Sequence, residues 1–162
     1  MSSTTIRFFF KSSRQVYNGT LPLRANTGTI ALTKAFVIDV ASARVNGATV
    51  SDIGTFLHQG FFYDAAKQTL YVPLTKANRS IVLVYRAITP ARTATATADQ
   101  NLSFRITSST YSKFEIEGVG LSGGRLYFNT NRANSSGAHD GVHVFKSLHR
   151  LIVHTVEFVP IG

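Results

Sequence analysis

The residues best suited to chemistry in this chain are its five histidines: His58, then His139, His143, His149 and His154. With Asp140 the later group forms the run His139-Asp140-Gly141-Val142-His143, and imidazole and carboxylate are the donors that bind zinc and related ions. Their spacing argues against a shared centre. His143 has the parity of Phe145 along a short strand, which reads as sheet packing. His149 and His154 are five residues apart and fall on opposite faces of a regular strand. Histidines of this kind serve packing, or an interface that charges as pH falls, and no metal or other cofactor is assigned.

The run Gly118–Gly124, GVGLSGG, fits two catalytic or nucleotide-binding patterns at once. Gly118, Gly120 and Gly123 match G-x-G-x-x-G, and Gly120, Ser122 and Gly124 match G-x-S-x-G. Both patterns require a helix next, whose N-terminus receives a pyrophosphate or succeeds the nucleophile. The next residues here, Arg125-Leu126-Tyr127-Phe128, have the pattern of a strand, so the glycines read as a hairpin loop. Glu115 and Glu117 are the one close pair of acids and share a strand face. Glycosidase carboxylates stand roughly 5 to 9.5 Å apart, which that spacing permits. The chain has no tryptophan to stack a sugar, and the pair reads as solvent-facing charge on a protein that is not an enzyme.

Two other groups could bind a partner. Thr130–Gly141 is a long polar stretch expected as an exposed tip, where Asn131, Arg132, His139 and Asp140 could hold a glycan or receptor. Arg7-Phe8-Phe9-Phe10-Lys11 interleaves cations with aromatics, and Arg7, Lys11 and the nearby Arg14 are the candidate nucleic-acid contacts. The competing reading places the aromatics in a core or interface and the cations at strand edges, where they discourage unwanted pairing.

Composition limits these choices. A net charge of +9 and a pI near 10.3 favour an anionic partner. The cations are dispersed singly from Arg7 to Arg150, with no polybasic arm. The chain is 44% hydrophobic and 15% charged, against about 25% charged in ordinary soluble domains. Such a balance is expected where surface is buried between copies. There is no cysteine, so neither a disulfide framework nor a thiolate metal site exists. The opening MSSTTIRFFFKSSRQ lacks the apolar core of a signal peptide, and no apolar run reaches the ~20 residues of a membrane helix. The sequons at Asn18, Asn78, Asn101 and Asn134 read as chance matches.

The elements that must position these groups are strands. Gly60–Ile88 reads as a meander of three runs, with Leu70 and Val72 opposed to Tyr71, and Ile81, Leu83 and Tyr85 opposed to Val82 and Val84. Both faces of the Ser80–Arg86 run are apolar, so a second sheet or a neighbouring subunit must cover it. Pro73 is read near the end of its run. Strands are also expected at Ile6–Lys11, buried on both faces, and at Ala35–Val45, which ends at the Asn46-Gly47 turn. Asn18-Gly19 reads as a turn, and Thr27–Leu32 as extended. Ser51–Gly60 has helical spacing at Ile53, Phe56 and Leu57, with Ser51 as cap. Thr89–Gln100 is expected to cross the molecule as an extended loop. Further strands are expected at Asn101–Thr107, with Leu102, Phe104 and Ile106 inward, and at Lys113–Glu117, Arg125–Asn129, Val142–Phe145 and Leu151–Val159.

The sum is about nine strands and one short helix in an all-β, antiparallel β-sandwich, a class that includes the jelly roll as one candidate form. Residues 1–5 are expected as a flexible tail and 6–162 as one domain. The expected function is a non-enzymatic structural protein that assembles with itself into a symmetric particle, a viral or phage capsid or other virion component. Phe8, Phe9, Phe10, Phe61 and Phe62 are its interface candidates, and nucleic acid or a surface glycan would be further partners. The alternative is a carbohydrate- or receptor-binding module that uses the polar tip.

Overall fold

The structure, a computed structural model, describes residues 5–24 and 30–145. In chain order its strands are β1 (Thr5–Ser12), β2 (Gln15–Pro22), β3 (Leu32–Asp39), β4 (Arg44–Val45), β5 (Ala48–Thr49), β6 (Leu57–His58), β7 (Phe62–Asp64) and β8 (Thr69–Lys76). They continue with β9 (Arg79–Tyr85), β10 (Ala96–Thr97), β11 (Phe104–Thr107), β12 (Lys113–Ser122), β13 (Arg125–Asn134), β14 (Gly137–Ala138) and β15 (Gly141–Val144). The fold is an all-β sandwich, nearly all of it antiparallel. Strands outnumber the expected nine because several are two-residue pairings too short to leave a pattern in sequence.

Three sheets carry the chain: β1-β2-β3-β10, then β11-β9-β8-β6 with β7 also on β8, then β12-β13-β14 with β15 also on β13. The alternation in β8 and β9 decides how they stack. Leu70, Val72, Leu74, Ile81, Leu83 and Tyr85 join Val16, Phe36 and Ile38 of the first sheet in one core. Tyr71, Val82 and Val84 face the other way, into a second core with Phe114, Ile116, Leu126 and Phe128 of the third sheet. The central sheet is thus covered on both faces by its own chain, as a doubly apolar strand requires. Pro73 sits in the middle of β8 rather than near its end. It falls in the gap between the stretches paired with β7 and β6, where its missing N–H interrupts no ladder and its carbonyl accepts from Gln59 N at 3.1 Å.

Neighbours within each sheet are mostly consecutive in sequence, a meander order rather than the interleaved order of a jelly roll. The Thr89–Gln100 segment does cross between sheets, and on the way Ala96 and Thr97 pair in parallel with Ile38 and Asp39. Asn46-Gly47 is the two-residue turn of β4 and β5, with φ of 52° and 75° as a type I′ turn demands.

Several expectations are corrected. Asn18-Gly19 is no turn but the middle of β2, and the turn lies at Ser13-Arg14, with Ser13 at φ 49°. A Cβ on Gly19 would collide with the Phe8 ring, which covers it from β1. Strand β3 ends at Asp39, short of Val45. The helix at Ser51–Gly60 is a single 3-10 turn, Ile53–Thr55, with no side-chain cap, and Leu57 already belongs to β6. Leu102 lies outside β11 and is exposed, while Ser103 is buried, accepting from Val84 N at 3.0 Å. Most of the glycine run is strand, with a bulge between Ile116 and Gly118, and only Gly123-Gly124 turns. Thr5 opens β1 rather than closing a tail. Residues 1–4, and residues 27–29 of the extended run expected at Thr27–Leu32, lie outside the described residues, as does the strand expected at Leu151–Val159.

Candidate functional site

Strand parity divides the aromatic segment of β1. Phe9 turns inward, its ring 5.9 Å from Phe36 and 4.8 Å from Tyr63, both edge-on. Ile6, Phe8 and Phe10 turn outward, so β1 is not buried on both faces as expected. Ile6 is 47% and Phe10 46% exposed. Phe10 meets Tyr17 of β2 at 6.1 Å, and Leu32 and Val37 of β3 extend the same outer face, both exposed. A bulge in the β2–β3 pairing at Val16/Tyr17 keeps Phe36 inward while placing Leu32 and Val37 outward. Phe61 and Phe62 do not join this face. Phe61 packs against the first core, and Phe62 stacks on Tyr71 beside the second.

Among the described residues the same strand is the edge of its sheet. In a hairpin with a two-residue turn the flanking pair, Ser12 and Gln15, is hydrogen-bonded, and bonding alternates from there. Phe10, Phe8 and Ile6 therefore bond to β2, while Arg7, Phe9 and Lys11 direct N–H and C=O to the open side.

The expected polar tip is a hairpin. Thr130 to Asn134 continue β13, Thr130 is buried, and the turn proper is Ser135-Ser136. Its candidate binding groups bond largely to each other. Asp140 Oδ1 accepts from Arg132 N at 2.9 Å, Arg132 Nε donates to the His139 carbonyl, and the Arg132 guanidinium lies 5.0 Å from the Tyr111 ring. His139 Nε2 is within 3.0 Å of Asn134 Oδ1 and 2.9 Å of Ser136 Oγ. Asn131 is half-buried in the strand.

His143 is a core residue, its ring 5.1 Å from Phe128 and its Nε2 3.1 Å from Thr130 Oγ1. Among the described residues no three histidine or acidic side chains converge on a common point, and His149 and His154 lie outside those residues. Glu115 pairs with Lys113 at 3.3 Å, and the bulge separates its register from that of Glu117.

Arg7 and Arg14 line different hollows. Arg7 lines a shallow pocket of about 280 Å³ with Phe9, Asn18, Tyr63 and Pro90. Lys11 and Arg14 lie toward His58 of β6, a grouping that sequence alone does not signal because its members come from separate segments. Burial first, then the charges of Lys11 and Arg14, holds the His58 pKa below its ordinary value, and burial with the charge of Arg132 does the same to His143.

Both imidazoles resist protonation in the folded protein, while the unfolded chain takes up protons near 6.5, so their contribution is complete above that pH and declines below it. Thermal midpoints should fall between pH 7.5 and pH 5, before the carboxylates titrate. His143→Phe and His58→Phe should each flatten that slope, and an unchanged slope in both would reject the assignment. Comparison of the chain with family models, curated proteins and solved structures finds no match.

Proposed function

We propose that this protein is a non-enzymatic structural subunit that associates with copies of itself through β1 and the outer face of the first sheet. A viral or phage shell or appendage is the setting we assign to it, since layered antiparallel sandwiches serve there as building blocks. The observation that carries the reading is the coincidence, among the described residues, of an edge strand with an apolar outer face. Ile6, Phe10, Leu23, Ile30, Leu32 and Val37, most of the exposed large hydrophobics among the described residues, belong to this sheet or its β2–β3 connection. An unpaired edge is a template for another strand, and an apolar face of this kind marks an interaction site.

Charge selects the register. Two antiparallel copies of β1 bond through their outward residues, so the pairs that face each other have an even sum of residue numbers. Registers placing Arg7 against Arg7, Arg7 against Lys11 or Lys11 against Lys11 oppose like charges and are disfavoured. The longest register free of that conflict sets Arg7 against Phe9 of the second copy, Ile6 against its Phe10 and Phe8 against its Phe8. The cations thus select among pairings instead of preventing all of them.

Light scattering over a concentration series tests this. The wild type should grow in mass with concentration. Arg7→Pro should remain monomeric with an unchanged β spectrum, because proline is tolerated where an edge N–H faces solvent and removes the donor a second copy needs. Phe10→Asp should act likewise. A wild type that stays monomeric throughout, or an Arg7→Pro protein that assembles normally, rejects the reading. Electron microscopy of the assembled fraction then distinguishes closed particles or rings from simple dimers.

A further inference from the structure

An open cleft of about 580 Å³ lies between the β1–β2 turn, the end of β3, β5, the 3-10 turn and β6. Its floor is apolar: Val40, Val50, Ile53 and Phe56 line it, each about 5% exposed or less. Arg14 and His58 line its rim with the hydroxyls of Ser13 and Ser51. Lys11 stands behind the same turn, half-buried, its Nζ donating to the Ser13 carbonyl at 3.4 Å. No carboxylate forms an ion pair with Lys11 or Arg14 among the described residues. The acid whose charge Arg14 influences, Asp39, is engaged by both the hydroxyl and the N–H of Ser42. His58 Nδ1 is buried and has no hydrogen-bond partner among the described residues.

An orphaned imidazole nitrogen beside an apolar hollow is costly in the empty protein. A bound anion would pair with the cations beside the cleft and give the imidazole a charged partner, and the hollow would take a nonpolar body attached to it. We infer that this cleft binds a small organic anion, a carboxylate or phosphate monoester with an apolar body, with Arg14, Lys11 and His58 as its anion-recognising groups. Arg14 supplies a planar fork matched to either oxyanion, Lys11 a supporting charge, and His58 an N–H. Arg14 and His58 lie outside β1, and Lys11 alone belongs both to this site and to the assembly strand.

The experiment monitors the His58 imidazole by proton–nitrogen NMR while phenyl phosphate, benzoate, inorganic phosphate or a short thymidine oligonucleotide is added. Phenyl phosphate or benzoate should shift the His58 signals saturably and raise its pKa, since a bound anion stabilises the imidazolium. Inorganic phosphate should bind at least tenfold more weakly, lacking the apolar body. Arg14→Gln and Lys11→Met should each weaken phenyl phosphate tenfold or more while keeping the spectrum of the folded protein. His58 signals unmoved by both aromatic anions at 10 mM would overturn the inference, as would equal affinity in the Arg14→Gln protein. An oligonucleotide that binds more tightly than phenyl phosphate, with a steep loss on adding salt, would also overturn it and assign the cations to nucleic acid. The assembly variant Arg7→Pro should bind phenyl phosphate as the wild type does, so failure of one proposal leaves the other standing.

Discussion

Ser80→Ala should destabilise the protein by about 2–4 kcal/mol, far more than deletion of one hydroxyl ordinarily costs. Ser80 is completely buried on β9, and its hydroxyl joins two layers. It donates to the Phe114 carbonyl at 3.0 Å and accepts from the Ile116 N–H at 3.0 Å. Both groups lie on β12, where the third sheet meets the central one. Alanine takes this partner from a buried acceptor and a buried donor together, each costing about 1–3 kcal/mol to leave unsatisfied, and provides nothing in return. Urea unfolding of the variant measures the loss, with Ser136→Ala as the control, because Ser136 sits on an exposed turn. A loss below about 0.5 kcal/mol would mean that water or a rearranged β12 replaces the hydroxyl, and that packing alone holds the layers together.

Ser80 also marks where sequence stops informing. The alternation of Leu70, Tyr71 and Val72, and of Ile81 through Tyr85, assigns each side chain to its core correctly, because a strand covered on both faces has no other way to pack. A serine in such a run carries no sign that its hydroxyl bridges two sheets, since the partner is a backbone more than thirty residues away. Strand β2 is hidden for a different reason. Asn-Gly is a strong local turn signal, but the glycine here makes room for the Phe8 ring, and only the paired strand reveals that need. The polar run after Thr130 misleads because hairpins close through backbone bonds, and its side chains pair with one another rather than with the core. The cleft at His58 could not be anticipated, as Lys11, Arg14, Val50 and His58 share no periodicity and meet only through the packing of the first sheet on the second.

The two-core arrangement leads to the other large effect. Phe36 is 1% exposed in the first core and Phe114 is fully buried in the second. Phe36→Ala and Phe114→Ala should each cost about 3–5 kcal/mol through lost burial and the cavity left behind. Stacked sheets stand ~10 Å apart, so the central sheet keeps the two cavities from sharing neighbours, and the two losses should add within about 0.5 kcal/mol. Their sum approaches the whole stability of an ordinary domain, about 5–15 kcal/mol, so the alanine double variant should be largely unfolded at room temperature. The same cycle with leucine at both positions removes less volume and keeps the double variant measurable. A coupling above about 1 kcal/mol in that cycle would show that one core relaxes when the other is emptied, and β8 and β9 would then be a deformable partition instead of a rigid wall. Additivity would mean that each face of the central sheet is stabilised on its own account, as its doubly apolar strands require.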